Sequence, residues 1–170
     1  QAQSTRTKID TIAVDPDVEV ELHALQGHVE VTSWDRPAVR LHAKIEDTDM
    51  GDAPDVQVVQ ETDSTLTIRP NGETVESPGV FTLLDVMTWG RDEPEGPKTN
   101  YLVQVPTDAS ITLRLDAADA EVSGVKGDVK VQGVSSSIEV RDVRGRVLAA
   151  TVSGTVYAED VRGKLGLGTL

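Results

Sequence analysis

The C-terminal third of the chain is a repeat of 18 residues. AEVSGVKGDVKVQGVSSS (Ala120 to Ser137) is followed by IEVRDVRGRVLAATVSGT (Ile138 to Thr155), then by VYAEDVRGKLGLGTL (Val156 to Leu170), three residues short of a full unit. A fixed period constrains the fold strongly. Each unit is a supersecondary element that cannot bury its apolar side alone and needs a like neighbour against it. Superposed, the units align Ala120 with Ile138 and Val156, and Val122 with Val140 and Ala158. Val125, Val143 and Val161 follow, then Val129, Val147 and Leu165, then Val131, Ala149 and Leu167, and last Val134, Val152 and Leu170. Apolar residues two apart are strand alternation, one side chain inward and the next outward.

Corners separate these short strands. Gly124, Asp142 and Asp160 stand one residue before the third apolar position, and Gly127, Gly145 and Gly163 two residues after it. Glycine reaches positive φ without steric cost, and aspartate is a turn former. On this reading Gly27, Gly127, Gly145 and Gly163 are rung-corner glycines, and a β-branched residue at Gly145 strains the backbone. Eighteen near-extended residues trace roughly 60 Å at ~3.3 Å per residue, one circuit of a narrow prism, with successive circuits about 4.8 Å apart as parallel strands. So thin a prism has a core of Val, Ile, Leu and Ala with few rings, and the chain is 3% aromatic. The competing arrangement is an antiparallel meander folded into a sandwich. The two halves of a unit resemble each other, setting Gly127 against Ser136 and Gly145 against Gly154.

The same pattern returns near the N-terminus. VELHALQGHVEVTSW (Val20 to Trp34) aligns without a gap, Val20 on Ile138, Leu22 on Val140, Leu25 on Val143, Gly27 on Gly145, Val29 on Val147, Val31 on Ala149 and Trp34 on Val152. Residues 38–45 continue the register after one insertion near Pro37, and 56–60, 65–69, 101–105 and 111–115 read as further strands. The expected fold is all-β: a parallel β-solenoid, right-handed and β-helix-like, with 18-residue rungs, an N-terminal β layer and one short capping or loop insertion. Residues 1–170 form a single domain on this reading, with N-terminal β rungs over 8–72, the insertion over 73–98 and the repeats over 99–170.

GHVEVTSWDRPAV (Gly27 to Val39), VQVPTDASITLRLDAADAEVSG (Val103 to Gly124) and IEVRDVRGRVLAATVSGTV (Ile138 to Val156) resemble the putative-adhesin family of bacterial β-solenoid domains. The resemblance covers most of the chain and is weakest from Glu73 to Lys98. It identifies the rung, not a chemistry. It implies an exported domain, extracellular, at the cell surface or periplasmic, with no catalytic residues to carry over. The family pattern continues for more rungs, whereas this sequence stops within one.

The net charge is −13, from 29 acidic and 16 basic residues. That balance disfavours nucleic acid and direct adsorption to anionic lipid, both of which need a positive footprint. No apolar run approaches a membrane span, so direct membrane insertion is not expected. There is no cysteine, hence neither disulfide nor thiol chemistry. A first residue Gln1 in QAQST would suit a mature N-terminus left by signal-peptide cleavage.

Chemical candidates are few. Asp47, Asp49, Asp52 and Asp55 alternate around Gly51 and resemble the opening of a calcium loop, but the glycine comes one position early and no Glu closes the set. His23, His28 and His42 read as separate outward-facing histidines rather than a zinc set. Ser135, Ser136, Ser137 and Ser153 lack a histidine in the C-terminal half to act as base. The stacked Asp142 and Asp160 read as a corner ladder rather than an acid/base pair. No catalytic residue, cofactor or metal is therefore expected, and no enzyme activity. Val80, Phe81, Leu83, Leu84, Met87 and Trp89 crowd into one apolar segment. It serves either as a cap on the core or as an interaction patch.

The expected role is a non-enzymatic structural or adhesion module. Its partners are itself, head to tail, or other cell-envelope proteins, and the open solenoid end at Leu165, Leu167 and Leu170 lacks a blunting charge or proline. The alternative is a carbohydrate- or envelope-binding domain, which calls for aromatic or amide ladders on one exposed face.

Overall fold

The computed structural model describes residues 4–47, 56–70 and 98–169. Among them are twelve strands in one mixed sheet. In chain order they are β1 (Ser4–Ala13), β2 (Glu19–Trp34), β3 (Ala38–Asp47), β4 (Val56–Thr62), β5 (Thr65–Pro70), β6 (Lys98–Pro106), β7 (Ser110–Ser123), β8 (Val129–Ser135), β9 (Ile138–Val143), β10 (Val147–Ser153), β11 (Val156–Val161) and β12 (Leu165–Thr169).

The two long strands, β2 and β7, organise the rest. In β2 the buried residues are Val20, Leu22 and Ala24, then Val29 and Val31; in β7 they are Ile111, Leu113 and Leu115, then Ala118, Ala120 and Val122. Strict alternation keeps one parity, so each strand changes parity once, where its pairing skips Leu25 and Asp116. At that point each strand turns from one ladder into a second. The first ladder joins the front half of β2 and of β7 to β8, β10 and β12, with β5 and then β4 on the other side. The second joins their rear halves to β9 and β11, with β6, β3 and β1 on the other side.

Beyond β7 all pairing is parallel and joins residues 18 apart: Ile111 to Val129, Val129 to Val147, Val147 to Leu165, and likewise Ala120 to Ile138 to Val156. The antiparallel meander is thus not the arrangement of this third. Antiparallel pairs occur elsewhere, in β1–β3, β3–β6 and β4–β5. The corners bond in the same sense as the strands. Arg144 N–H donates to Val125 O at 3.1 Å and Arg162 N–H to Val143 O at 2.9 Å, while across the opposite corner Ser136 N–H donates to Ser153 O at 3.0 Å.

The N-terminal register differs from the sequence alignment. Val20 pairs with Ile111 and so stands in file with Val129 and Val147, while Val29 pairs with Ala120 and stands in file with Ile138. The alignment is half a unit out of phase. Each unit has two similar halves, and alternation alone cannot say which half meets which. Gly27 accordingly lies at the change of parity in β2, opposite Ala118, and not in the file of Gly127, Gly145 and Gly163. Val134 and Val152 are only half-buried; the inward alternation after Val147 and Ala149 runs to Thr151, whose hydroxyl donates to Ser153 O at 3.1 Å.

Positive φ falls on Gly27 (118°) and Gly154 (136°), and on Gly124 (78°), Asp142 (49°) and Asp160 (53°), the last three one file spaced by 18. Aspartate is one of the few residues other than glycine that occupies this region, its short polar side chain bonding locally. Asp142→Val is therefore expected to destabilise by about 1–2 kcal/mol, whereas Asp142→Gly stays within about 1 kcal/mol of the wild type; urea titrations of both variants check the difference.

Candidate functional site

Two surfaces stand out among the described residues. The first is the end of the stack formed by β11 and β12. Among the described strands β11 pairs only with β9, and β12 only with β10. Leu165 is 49% exposed and Leu167 47%, although their file-mates Val147 and Ala149 are 0% and 3% exposed. These are core positions by register, and no described strand lies over them. The β12 segment also has no carboxylate, no proline and no bulge along Leu165–Thr169, the devices that normally blunt a free edge. At the other end the last strands are β1 and β4, each held antiparallel. There Lys8 lies across to the Val56 carbonyl at 2.6 Å and Gln60 to the Ala13 carbonyl at 2.9 Å, tying the two ladders together.

The second surface is a groove of about 460 Å³ on the outer side of the rear ladder, lined in part by His28, Asp119, Glu121, Glu139, Arg141 and Tyr157. Register builds it. His28 lies opposite Asp119, and Glu30, Glu121, Glu139 and Tyr157 form one outward file. Asp119 Oδ1 accepts the Ser137 N–H at 2.9 Å, so one carboxylate secures the next turn's backbone. Arg141 is ion-paired with Glu139, lies 3.8 Å from Glu159, and has its guanidinium carbon 6.0 Å from the centre of the Tyr157 ring. Tyr157 is 52% exposed. The arrangement offers hydrogen-bond acceptors beside one aromatic face.

The other sequence candidates fall as follows. Asp47 closes β3, and Asp49, Asp52 and Asp55 lie outside the described residues, as do Val80, Phe81, Leu83, Leu84, Met87, Trp89 and Leu170. His23 and His28 sit on the two halves of β2 and His42 on β3; His23 Nε2 is 3.9 Å from Asp116 Oδ1. Among the described residues no group of three or more His, Cys, Asp or Glu is placed to hold a metal ion. Asp142 and Asp160 hold the positive-φ corner. Ser136 is buried beneath Gly133, where a Cβ on the glycine would come within 2.6 Å of the serine side chain. Gly127, Gly145 and Gly163 stack: a Cβ on Gly145 would lie 2.2 Å from the Gly127 carbonyl oxygen, and one on Gly163 2.1 Å from that of Gly145. No described helix is long and apolar enough to cross a membrane.

No family model matches the chain, and no curated protein matches it. Solved structures that resemble it remotely include a putative cell adhesion protein from Clostridium sporogenes, 9% identical over 98% of this chain and 100% of that one, with a TM-score of 0.45. Two more are a putative adhesin from Bacteroides fragilis, 10% identical over 95% and 97% of the two chains with a TM-score of 0.30, and one from Parabacteroides merdae, 10% identical over 97% and 96% with a TM-score of 0.29.

Proposed function

We propose that the chain is a non-enzymatic, exported structural or adhesion module: a parallel β-solenoid with 18-residue rungs that presents a rigid surface and joins copies end to end. The observation that carries this reading is the exposure of Leu165 and Leu167 on β12, a strand that pairs on one side only among the described residues and whose file-mates are core. Each turn of the stack is the template for the next, and an uncovered turn leaves both apolar surface and a row of backbone N–H and C=O groups without partners. A second copy seated by its β1 and β4 end on this edge would cover both. Such a head-to-tail contact does not close on itself and propagates as a filament.

The reading is tested by sedimentation velocity and electron microscopy over a range of concentrations. The wild type is expected to grow in mass with concentration and to form linear assemblies. Leu165→Lys with Leu167→Lys is expected to remain monomeric, because two charges then stand on the docking edge. A wild type that stays monomeric at high concentration contradicts end-to-end assembly.

A second reading, a carbohydrate- or envelope-binding domain, is favoured by the groove around Tyr157, where an aromatic face adjoins Asp119, Glu121 and Glu139. Its expected outcome is glycan binding that is lost in Tyr157→Ala. Equal binding by the two proteins removes the groove from consideration.

A further inference from the structure

The chain carries 16 basic residues against 29 acidic ones, yet the corner between the rear and front ladders is lined with cations. Lys126, Arg144 and Arg162 occupy the same place on three successive turns, 18 residues apart. Arg146 and Lys164 form a second file two residues further on. Between the two files run Gly127, Gly145 and Gly163, which bear no side chains. All five cations are exposed, and none makes an ion pair with a described residue.

The spacing is fixed by backbone, not by side-chain contacts. Lys126 N–H donates to Thr107 O, Arg144 N–H to Val125 O and Arg162 N–H to Val143 O, at 2.8, 3.1 and 2.9 Å. Arg146 O and Lys164 O in turn accept from Val129 and Val147 N–H, both at 2.8 Å. The cations therefore repeat at the separation of parallel strands, about 4.8 Å. Holding like charges so close costs free energy. Asp108 and Asp128 stand at the first turn of the two files, 18 residues before Lys126 and Arg146. Asp142 and Asp160 sit two residues before Arg144 and Arg162, and Asp128 is occupied by the Arg146 N–H at 2.9 Å.

We propose that this corner binds a linear anionic polysaccharide laid along the stack, with successive carboxylate, sulfate or phosphate groups meeting successive turns. A line of negative charge fits where a plane does not. An anionic membrane would press against Asp142, Asp160 and Glu159 as well as the cations. Single-stranded nucleic acid binds through aromatic platforms interleaved with basic residues, and no described aromatic stands in either file. At physiological salt the Debye length is about 8 Å, so the charges at this corner, the five cations together with Asp108, Asp128, Asp142 and Asp160, decide contact there rather than the net −13. The inference rests on the reading of the chain as a surface-presenting module outside the cytoplasm; it does not require end-to-end assembly.

The test is binding of the full chain to immobilised polygalacturonate in 150 mM salt, with neutral dextran, single-stranded DNA and phosphatidylglycerol vesicles as comparisons. Polygalacturonate is expected to bind, and the other three to bind at least tenfold more weakly. Arg144→Gln with Arg162→Gln is expected to reduce polygalacturonate affinity at least tenfold. Arg40→Gln with Lys44→Gln removes the same charge from exposed positions of β3 and is expected to leave affinity within twofold. Circular dichroism melting establishes that both variants are folded; should the arginine pair melt early, Lys126→Gln with Lys164→Gln replaces it. The proposal is overturned if the wild type does not bind, if both charge pairs weaken binding alike, or if DNA or vesicles bind as tightly as polygalacturonate. Sedimentation of the same samples reports assembly separately, so failure of the filament reading and failure of this one are distinct results.

Discussion

Val147→Asp is expected to leave no cooperatively folded protein. Val147 is fully buried and lies between Val129 on one turn and Leu165 on the next. Its surroundings are the buried aliphatic files of the front ladder, Val129 and Val131 among them, so a carboxylate placed there is set against hydrocarbon. An isolated charge in such a site costs many kcal/mol, so the group protonates or the site opens. Against a typical total stability of about 5–15 kcal/mol, either outcome removes the C-terminal turns. A graded series makes the cause visible. Val147→Ala only deletes methyl groups, and is expected to cost about 2 kcal/mol while keeping a single transition in urea. A Val147→Asp protein that melts like the wild type would mean that this position is not interior.

The second large effect is expected at Gly145. The sequence suggests that glycine is needed there for its φ, but the left-handed position belongs to Gly124, Asp142 and Asp160. Gly145 is constrained by closeness instead. Any Cβ would sit 2.2 Å from the carbonyl oxygen of Gly127 and 2.5 Å from its carbonyl carbon. That neighbour is backbone, itself held in the stack, and it cannot rotate away as a side chain can. Gly145→Val is expected to cost about 3 kcal/mol or more, at the upper end of overpacking penalties, by forcing adjacent turns apart. Gly166 provides the contrast. A Cβ there meets the end of the Leu148 side chain at 2.8 Å, and Leu148 is 45% exposed and free to turn. Gly166→Ala is expected to remain within about 1 kcal/mol of the wild type. Equal melting temperatures for Gly145→Val and Gly166→Ala would show that the turns are not in close contact at the corner.

The sequence is most legible where like stacks on like. Val129, Val147 and Leu165, or Ile138 and Val156, can be placed in file from their spacing alone, because parallel pairing at a constant offset makes the register equal to the period. It is less legible at the N-terminal side. Val20 and Val29 both fit either half of the unit, and only the partners supplied by β7 decide between them. The parity change at Leu25 and Asp116 has no distinct pattern either, since a bend in a strand and a change of face look alike to alternation. The antiparallel layers follow from neighbours rather than from period: β3 is placed by β6 and β1, and β4 by β5. The groove at Tyr157 draws on His28 and Glu139, more than a hundred positions apart in the chain, and could not be found without the register. The cation file was within reach, as Val-Lys-Gly, Val-Arg-Gly and Val-Arg-Gly at 18-residue intervals. A net charge of −13 hides it, because a sum over the chain carries no geometry.

Paired cysteines across the turns test the architecture most directly, since the protein has none of its own. Lys130 and Leu148 are outward-facing partners on adjacent parallel strands. Cα atoms at about the 4.8 Å strand spacing fall within the range a disulfide spans. Gln132 and Arg141 would instead be neighbours if β8 and β9 formed a hairpin. On mild oxidation Lys130→Cys with Leu148→Cys is expected to cross-link within the monomer, read as a loss of two hydrogens by mass spectrometry, while Gln132→Cys with Arg141→Cys stays reduced. The opposite result, with the second pair bridged and the first left as free thiols, would contradict the stacking of residues 18 apart.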